Sequence, residues 1–163
     1  MTQKNLILSD EVKSKGDIEL LIEYKDGKKE QRFYKNTILR TGRNALASSL
    51  TNQIGDSYNF FINSMLFGDG GTNTGVKKYV SESRNGLFGI TRINKPVIAN
   101  INPDIPYQAT FVCVVRFEDG NGYTLNEMAL QMNSGDLYSM TTFPDFTKTS
   151  QMQLTWTWRL TFI

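Results

Sequence analysis

The chain of 163 residues contains no histidine. Histidine is the side chain whose ordinary pKa lies closest to neutral pH, and its imidazole is the base of Ser-His-Asp and Cys-His catalysis. The imidazole is also a common ligand of protein-bound zinc. The absence of histidine therefore excludes these two catalytic systems and every zinc site that depends on an imidazole.

Cysteine is almost absent too, since Cys113 is the single cysteine of the sequence. It lies within the apolar run Phe111-Val112-Cys113-Val114-Val115, a setting typical of a small buried hydrophobe rather than of a nucleophile. One cysteine cannot build a disulfide framework. This is consistent with folding in a reducing cytoplasm.

The sequence also lacks a strong charge of either sign and a long apolar run. The formal net charge is +2 and no Lys/Arg block exceeds two residues, so we expect neither a nucleic-acid partner nor a membrane partner. No apolar run approaches the ~20 residues that a membrane-spanning helix needs. The polar start, Met1-Thr2-Gln3-Lys4-Asn5, is followed only by Leu6-Ile7-Leu8, which is not the pattern of a signal peptide.

The clearest positive feature is the alternation of residues 151–163. Every second side chain is apolar: Met152, Leu154, Trp156, Trp158, Leu160 and Phe162. Successive side chains of a β-strand point to opposite sides of the sheet, so the pattern predicts a strand with one buried face. The other face is mostly Thr and Gln, and we expect another strand or another subunit to cover it.

Turn-forming sequences divide the remaining chain into further strands and one helix. The helix is predicted to begin at Thr41 as its N-cap and to reach Gln53, with an apolar stripe of Leu46, Leu50 and Ile54. The other predicted strands are Asp17–Tyr24, Gln31–Leu39 with Phe33 inward, Phe60–Phe67, Leu87–Ile98, Ala109–Phe117, Tyr123–Met132 and Asp136–Phe143.

Short turn sequences join the last four strands, which predicts an antiparallel meander. These turns are Asp119-Gly120-Asn121-Gly122, Asn133-Ser134-Gly135 and Pro144-Asp145-Phe146. The sequence as a whole predicts a mainly β fold, an antiparallel β-sandwich or half-barrel with one short α-helix packed on it. Residues 1–16 are predicted to form an N-terminal arm and residues 17–163 a single β-rich domain.

A glycine-rich loop, Gly68 to Gly75, invites a comparison with phosphate-binding loops, whose backbone N–H groups approach an anion. A P-loop requires Gly-Lys-Ser/Thr at the start of a helix, whereas Gly75 is followed by Val76-Lys77-Lys78-Tyr79. We therefore interpret the loop as flexible or as a partner contact. The Asp119-x-Asn121 spacing likewise lacks the rest of a calcium-binding loop and is interpreted as a hairpin turn. We expect no metal and no cofactor.

Glu127 lies in an otherwise apolar strand, with Leu125 and Ala129 on the same predicted face. A carboxyl group among apolar neighbours is typical of a catalytic acid with a raised pKa. No second carboxylate has a fixed relation to it, so a glycosidase-type pair is not predicted. The alternative is a structural role, in which Glu127 accepts hydrogen bonds from buried backbone N–H groups or pairs with an arginine. We favour the structural role.

The pair Trp156 and Trp158 also has two interpretations. Exposed indole rings would form a stacking platform for sugars, whereas buried rings would form part of the core. The Leu and Phe residues at matching positions favour the core.

The order of several motifs resembles the N-terminal domain of bacteriophage tail-collar fibre proteins, the part that fixes a fibre to the tail or baseplate. The resemblance covers about residues 41–163. In chain order the motifs are Thr41-Gly42-Arg43-Asn44-Ala45-Leu46-Ala47, Phe67-Gly68-Asp69-Gly70-Gly71, Arg92, Asn102-Pro103, Gly122 to Leu130, Gly135-Asp136-Leu137-Tyr138, and Phe143-Pro144 with Lys148. Ala129 departs from the pattern, because glycine is expected after the acidic position.

This resemblance implies a structural protein of the virion, made in the cytoplasm of a host bacterium. Fibre proteins of this kind continue into a long shaft, so an end at Ile163 implies an adaptor rather than a complete fibre. We expect a non-catalytic homo-oligomer, a trimer or ring, that attaches phage tail, collar or fibre proteins. The expected contact residues belong to the arm of residues 1–16 and to the loop of residues 68–79: Leu6, Ile7, Leu8, Asp69, Thr72, Asn73, Lys77, Lys78 and Tyr79.

Two other functional classes remain open alongside the structural one. The first is a monomeric carbohydrate-binding module that uses aromatic side chains. The second is an enzyme, for which Glu127 is the sensible acid.

Overall fold

A computed structural model describes residues 13–51 and 60–163 of the chain. The described part contains twelve β-strands and one α-helix. Strands β1 to β12 are Ser14–Tyr24, Lys29–Lys35, Thr37–Ile38, Ile62–Gly68, Thr72–Asn73, Val76–Lys77, Thr91–Pro96, Ile98–Asn102, Ile105–Val115, Thr124–Met132, Leu137–Thr147 and Met152–Phe162, and helix α1, Arg40–Ser49, lies between β3 and β4. Leu6, Ile7 and Leu8 of the predicted arm lie outside the described residues.

Ten of these strands form two antiparallel five-stranded sheets that pack face to face. Sheet A has the order β2-β1-β12-β9-β8, and sheet B has the order β3-β11-β10-β4-β7. Strands β5 and β6 form a separate hairpin. The predicted fold class, a mainly β antiparallel sandwich with one short helix, is confirmed.

The predicted meander of the last four strands is wrong. Strand β9 pairs with β12 in sheet A, whereas β10 and β11 pair with each other in sheet B. The turns after β9 and after β11 therefore carry the chain from one sheet to the other. Alternating side chains show that a strand has a buried face, but strands on either side of a sandwich core share that pattern, so the pattern does not identify the pairing partner.

The core lies between the two sheets, and β12 occupies the middle of sheet A. Trp156 and Trp158 are fully buried, and Met152, Leu154 and Leu160 lie beside them in the same cluster. Trp156 packs against the rings of Phe67, at 5.4 Å between centroids, and Phe143, at 5.5 Å. This arrangement confirms the predicted buried face of the terminal strand. The Thr/Gln face of β12 is half-buried between β1 and β9 on the outer side of sheet A.

A second apolar cluster covers the outer face of sheet B. Its buried members are Leu39, Leu66, Val80, Ala129, Leu137 and Met140, and Leu87 and Phe88 pack against it. The chain between β6 and β7 thus lies over sheet B, which explains why side chains on both faces of β10 are buried. Sheet A has no comparable cover among the described residues.

Helix α1 differs from its prediction at its start and in its buried face. It begins at Arg40 with Leu39 as the N-cap, and Thr41 instead donates its hydroxyl hydrogen bond to the carbonyl oxygen of Leu137. The helix packs on β11 through its small residues Gly42 and Ala45. This close approach requires a glycine at position 42, because a Cβ there would overlap the carbonyl oxygen of Tyr138. The predicted apolar stripe does not form the contact: Leu46 and Leu50 are exposed, and Ile54 lies outside the described residues.

Two prolines explain further differences between predicted and observed strands. Strand β11 continues through Pro144, where a turn was predicted, because the register shift opposite Leu125 and Glu127 leaves this stretch outside the regular pairing. Proline is tolerated at such bulges because no ladder hydrogen bond requires its missing N–H. Of the predicted strand Leu87–Ile98, only Thr91–Pro96 forms a strand, β7; it ends at Pro96, and the next strand, β8, begins at Ile98.

Candidate interaction surface

Glu127 on β10 is fully buried, and its carboxylate is occupied by backbone donors. Oε1 accepts hydrogen bonds from the N–H groups of Gly70, at 2.9 Å, and Gly89, at 2.8 Å. Oε2 accepts from the N–H group of Phe88 at 2.7 Å. A carboxylate that accepts hydrogen bonds from three backbone N–H groups holds two loops on sheet B, which is consistent with the structural interpretation of Glu127.

Asn126 joins the same network and was not singled out by the sequence analysis. Its side-chain oxygen accepts from the N–H group of Gly71 at 2.6 Å, and its amide donates to the carbonyl oxygen of Asp69 at 3.2 Å. The irregular register after Leu125 places Leu125 in the main core but Ala129 in the outer cluster, so the predicted common face of Leu125, Glu127 and Ala129 is wrong. The sequence feature that could have indicated this network is the polar pair Asn126-Glu127 within an otherwise apolar strand.

Two of the predicted contact residues of the glycine-rich loop are engaged within the fold. Asp69 accepts from Arg92 Nε at 2.6 Å and from the N–H group of Ile90 at 3.0 Å. The hydrogen bond from Arg92 lowers the pKa of Asp69. Thr72 donates to Asp145 Oδ1 at 2.7 Å. These bonds fix the loop on sheet B, together with the N–H groups of Gly70 and Gly71, which donate to Glu127 and Asn126.

The remaining described contact residues lie on or next to a groove along the outer edge of β2. This side groove has a volume of about 860 Å³ and includes Lys77, Lys78 and Tyr79, while Asn73 is exposed in the adjoining hairpin. Tyr79 is 84% exposed, and Phe33, which also lines the groove, is 69% exposed. The side groove therefore presents two aromatic rings and Lys77 to solvent, while Lys78 is half-buried with its ammonium 5.1 Å from the ring centroid of Phe88.

Phe33 was predicted to point inward, and this prediction is wrong. It stands opposite Glu19 of β1, whose side chain forms an ion pair with Arg159 on the outer face of sheet A at 3.1 Å. The inward positions of β2 hold Arg32 and Tyr34, and the guanidinium of Arg32 lies 5.2 Å from the ring centroid of Phe146. Inward-pointing charge is a common feature of edge strands. It places the one phenylalanine of β2 on the solvent side.

A second, apolar groove lies at the end of the sandwich. This end groove has a volume of about 400 Å³ and lies between the helix side and strands β8 and β9, where Leu46, Phe61 and Ile101 contribute to its wall. Phe61 is 53% exposed and Ile101 is 65% exposed. Ile101 pairs with Ala109, which pairs in turn with the core residue Leu160. This register places Ile101 on the inner face of sheet A, although its side chain is exposed to solvent.

The described residues contain no group of three or more carboxylates or thiols that could hold a metal ion. Burial raises the pKa of the Cys113 thiol to about 12, which keeps it protonated at neutral pH. Lys148 is buried and donates to Asn121 Oδ1 at 3.0 Å and to the carbonyl oxygen of Thr149 at 2.9 Å. Desolvation lowers the pKa of Lys148, while its hydrogen bonds hold the turn before β10.

In the described ranges, no helix is both long and apolar enough to cross a bilayer.

The chain was compared with family models, with curated proteins and with solved structures, and none of the three comparisons gave a match.

Proposed function

We propose that the protein is a non-catalytic structural protein of a bacteriophage virion that oligomerises and attaches a tail, baseplate, collar or fibre protein. The observation that carries this proposal is the side groove, in which Phe33 and Tyr79 are exposed beside Lys77 and Lys78. Aromatic side chains are enriched at protein interfaces, where a few of them supply most of the binding energy. The phage assignment itself rests on the resemblance of the motif order to tail-collar fibre domains.

The chemistry of the groove favours binding over catalysis. The acids in its wall are paired with bases, Asp17 with Lys35 and Glu19 with Arg159. The groove lacks a nucleophile that is activated by a neighbouring base. Its exposed aromatic side chains suit side-chain contacts with a loop of a partner protein.

The decisive experiment is to look for the chain in purified particles of the phage that encodes it, by mass spectrometry and by cryo-electron microscopy. We expect the chain at a fixed copy number per particle. Its absence from particles that are otherwise complete would contradict the proposal.

The role of the side groove is tested by the double substitution Phe33→Ala and Tyr79→Ala. We expect incorporation into particles to fall at least tenfold, because two exposed aromatic anchors are lost while the fold is kept. Val76→Ala is the matched control, since Val76 is 70% exposed in the neighbouring hairpin but does not line the groove. Equal incorporation of the double variant and the control would dismiss the groove as the attachment site.

Carbohydrate binding is a second candidate function. Trp156 and Trp158 are buried and provide no platform, but the exposed rings of Phe33 and Tyr79 would allow stacking on a sugar face. Titration with polysaccharide from the host surface separates the two functions. Saturable binding that is lost in Phe33→Ala would favour the carbohydrate-binding module, and no binding would leave the attachment role.

A further inference from the structure

Strand β8 differs in charge from the other outer strands of the two sheets. The edge strand β2 carries Lys29, Glu30, Arg32 and Lys35, and the edge strand β7 carries Arg92 and Lys95 and ends at Pro96. Charged side chains and proline are the usual protection of a strand edge against pairing with another chain. The sequence of β8, Ile98-Ala99-Asn100-Ile101-Asn102, contains neither.

The fourth edge is protected by its length and its cover. Strand β3 has only two residues, and beyond it the β5–β6 hairpin contacts β11. Thr142 donates to the carbonyl oxygen of Lys78 at 2.8 Å, which fixes that cover. Within the described part of the chain, β8 is thus the one sheet edge that has no protection of these kinds.

The backbone of β8 is available for a further strand. Among the described residues β8 pairs with β9 alone. Alternate residues of an antiparallel strand direct their N–H and C=O groups to one neighbour, and the residues between direct theirs to the other side. Half of the backbone groups of β8 therefore point away from the sheet, where another strand would satisfy them.

The side chains of β8 also lack a neighbour. Ile98, on the outer face, is 68% exposed, and Ile101, on the inner face above the end groove, is 65% exposed. Phe61 in the wall of the same groove is 53% exposed. A strand added beside β8 would cover both isoleucines, and the domain behind that strand would close the end groove over Phe61.

We propose that β8 pairs antiparallel with β8 of a second copy of this chain, centred on Asn100, so that the two copies of sheet A become one continuous sheet. This inference rests on the proposed oligomerisation and specifies its contact. Centring on Asn100 places Ala99 opposite Ile101 of the second copy and Ile98 opposite Asn102. The contact is self-complementary, as a twofold interface requires.

A second copy suits this edge because the pairing is free of like charges. Two identical charged strands, such as two copies of β2, would place charges of the same sign close together, which destabilises a pair. Two copies of β8 contribute only isoleucine, alanine and asparagine side chains. A twofold contact closes at two chains, so it predicts a dimer rather than a trimer or ring built through this edge.

Cysteine cross-linking tests the pairing and its register together. Asn100→Cys would place the two new thiols directly opposite, with Cα atoms about 4.5 or 5.5 Å apart, inside the disulfide range of about 4.4–6.8 Å. We expect most of the full-length protein to migrate as a cross-linked pair after oxidation with copper phenanthroline. Cys113 does not compete, because it is buried. Gln31→Cys on the edge strand β2 is the matched control and is expected to remain a single chain.

The outcomes separate this inference from the proposed function. An unlinked Asn100→Cys variant in a chain that is present in virions would overturn the pairing and leave the function. A linked variant in a chain that is absent from virions would support the pairing and overturn the function. A monomeric wild-type protein whose β8 amides are protected from hydrogen exchange would show that another part of the chain, such as the segment with Leu6-Ile7-Leu8, covers the edge, and it would overturn the pairing.

Discussion

The two outer strands of sheet A, β2 and β8, have the same place in the topology and opposite chemistry. Each has one neighbour in the sheet among the described residues, β1 for β2 and β9 for β8. Charged residues occupy four of the seven positions of β2 and none of the five positions of β8. We infer that the difference separates two uses: β2 keeps its backbone edge in water and presents the side groove, whereas β8 meets another copy.

Strand β12 lies midway between the two edges, so a change at its centre should affect both edges alike. We expect Trp156→Ala to lower the free energy of unfolding by about 3–5 kcal/mol, since it removes a fully buried ring from the core. Urea denaturation with hydrogen exchange measures the effect. Phe33→Ala, at an exposed position, is the control and should stay within about 0.5 kcal/mol of the wild type. Loss of hydrogen-exchange protection in only one of the two edge strands, β2 or β8, would contradict the expectation that a change in β12 affects both edges alike.

Glu127→Gln should lower stability without changing the pairing of either edge. The amide can keep the bonds at one oxygen but faces the N–H group of Phe88 with a second donor, which costs about 1–3 kcal/mol. Thermal unfolding measures the loss, and light scattering checks the mass. A variant that dissociates at unchanged stability would show that the β10 network acts on assembly rather than on the fold.

The edges should also differ in their response to acid. Hydrogen bonds from Lys28 and then Arg32 lower the pKa of Glu30 on β2 below its ordinary value of 4.5, and Tyr24 also donates to this carboxylate. A lowered folded-state pKa adds stability above pH 4.5 that is lost as the pH falls through the folded value. We therefore expect amide protection in β2 to fall below about pH 4.5.

Strand β8 provides the comparison for this acid response, because its five residues contain no titratable side chain. We expect its protection to stay constant over the same range, and Glu30→Gln should remove the acid dependence of β2. Equal acid dependence of the protection factors of β2 and β8, measured by NMR, would contradict the attribution of the acid response to Glu30.

The smallest effect is expected on the outer face of β12. The sequence predicts that another strand or subunit covers the Thr/Gln face, and Thr157 is half-buried there. If the copies meet through β8 instead, Thr157→Lys leaves both the mass and the stability unchanged within about 0.5 kcal/mol. Dissociation of Thr157→Lys would move the interface from the edge of sheet A to its face.

Patterns along one strand were sufficient for the fold class but not for the pairing of the strands. The alternation around Trp156 and Trp158 predicted a buried face because burial depends on the period of a single strand. The positions of Phe33 and Leu46 depended on their neighbours: Arg32 and Tyr34 take the inward places on β2, and Gly42 and Ala45 bring the helix against β11. Packing between segments that are distant in the sequence therefore determines which of these side chains point inward.

The candidate surface was predicted in part. Lys77, Lys78 and Tyr79 line the side groove, whereas Asp69 and Thr72 are held inside the loop network by Arg92, Asn126 and Asp145. The sequence analysis did not predict β8 as a separate strand, because Ile98-Ala99-Asn100-Ile101-Asn102 has no unusual composition. Its significance depends on its place at the edge of a sheet, which is a property of the topology.

The solution mass of the full-length protein, measured by light scattering over a range of concentrations, tests the contrast between the two edges most directly. We predict a mass of two 18.5 kDa chains for the wild type and for Gln31→Lys on β2, and a mass of one chain for Asn100→Lys on β8. The last result follows because two lysines would lie directly opposite each other. A wild-type mass of one or three chains, or a dimer that survives Asn100→Lys, would contradict the pairing of β8.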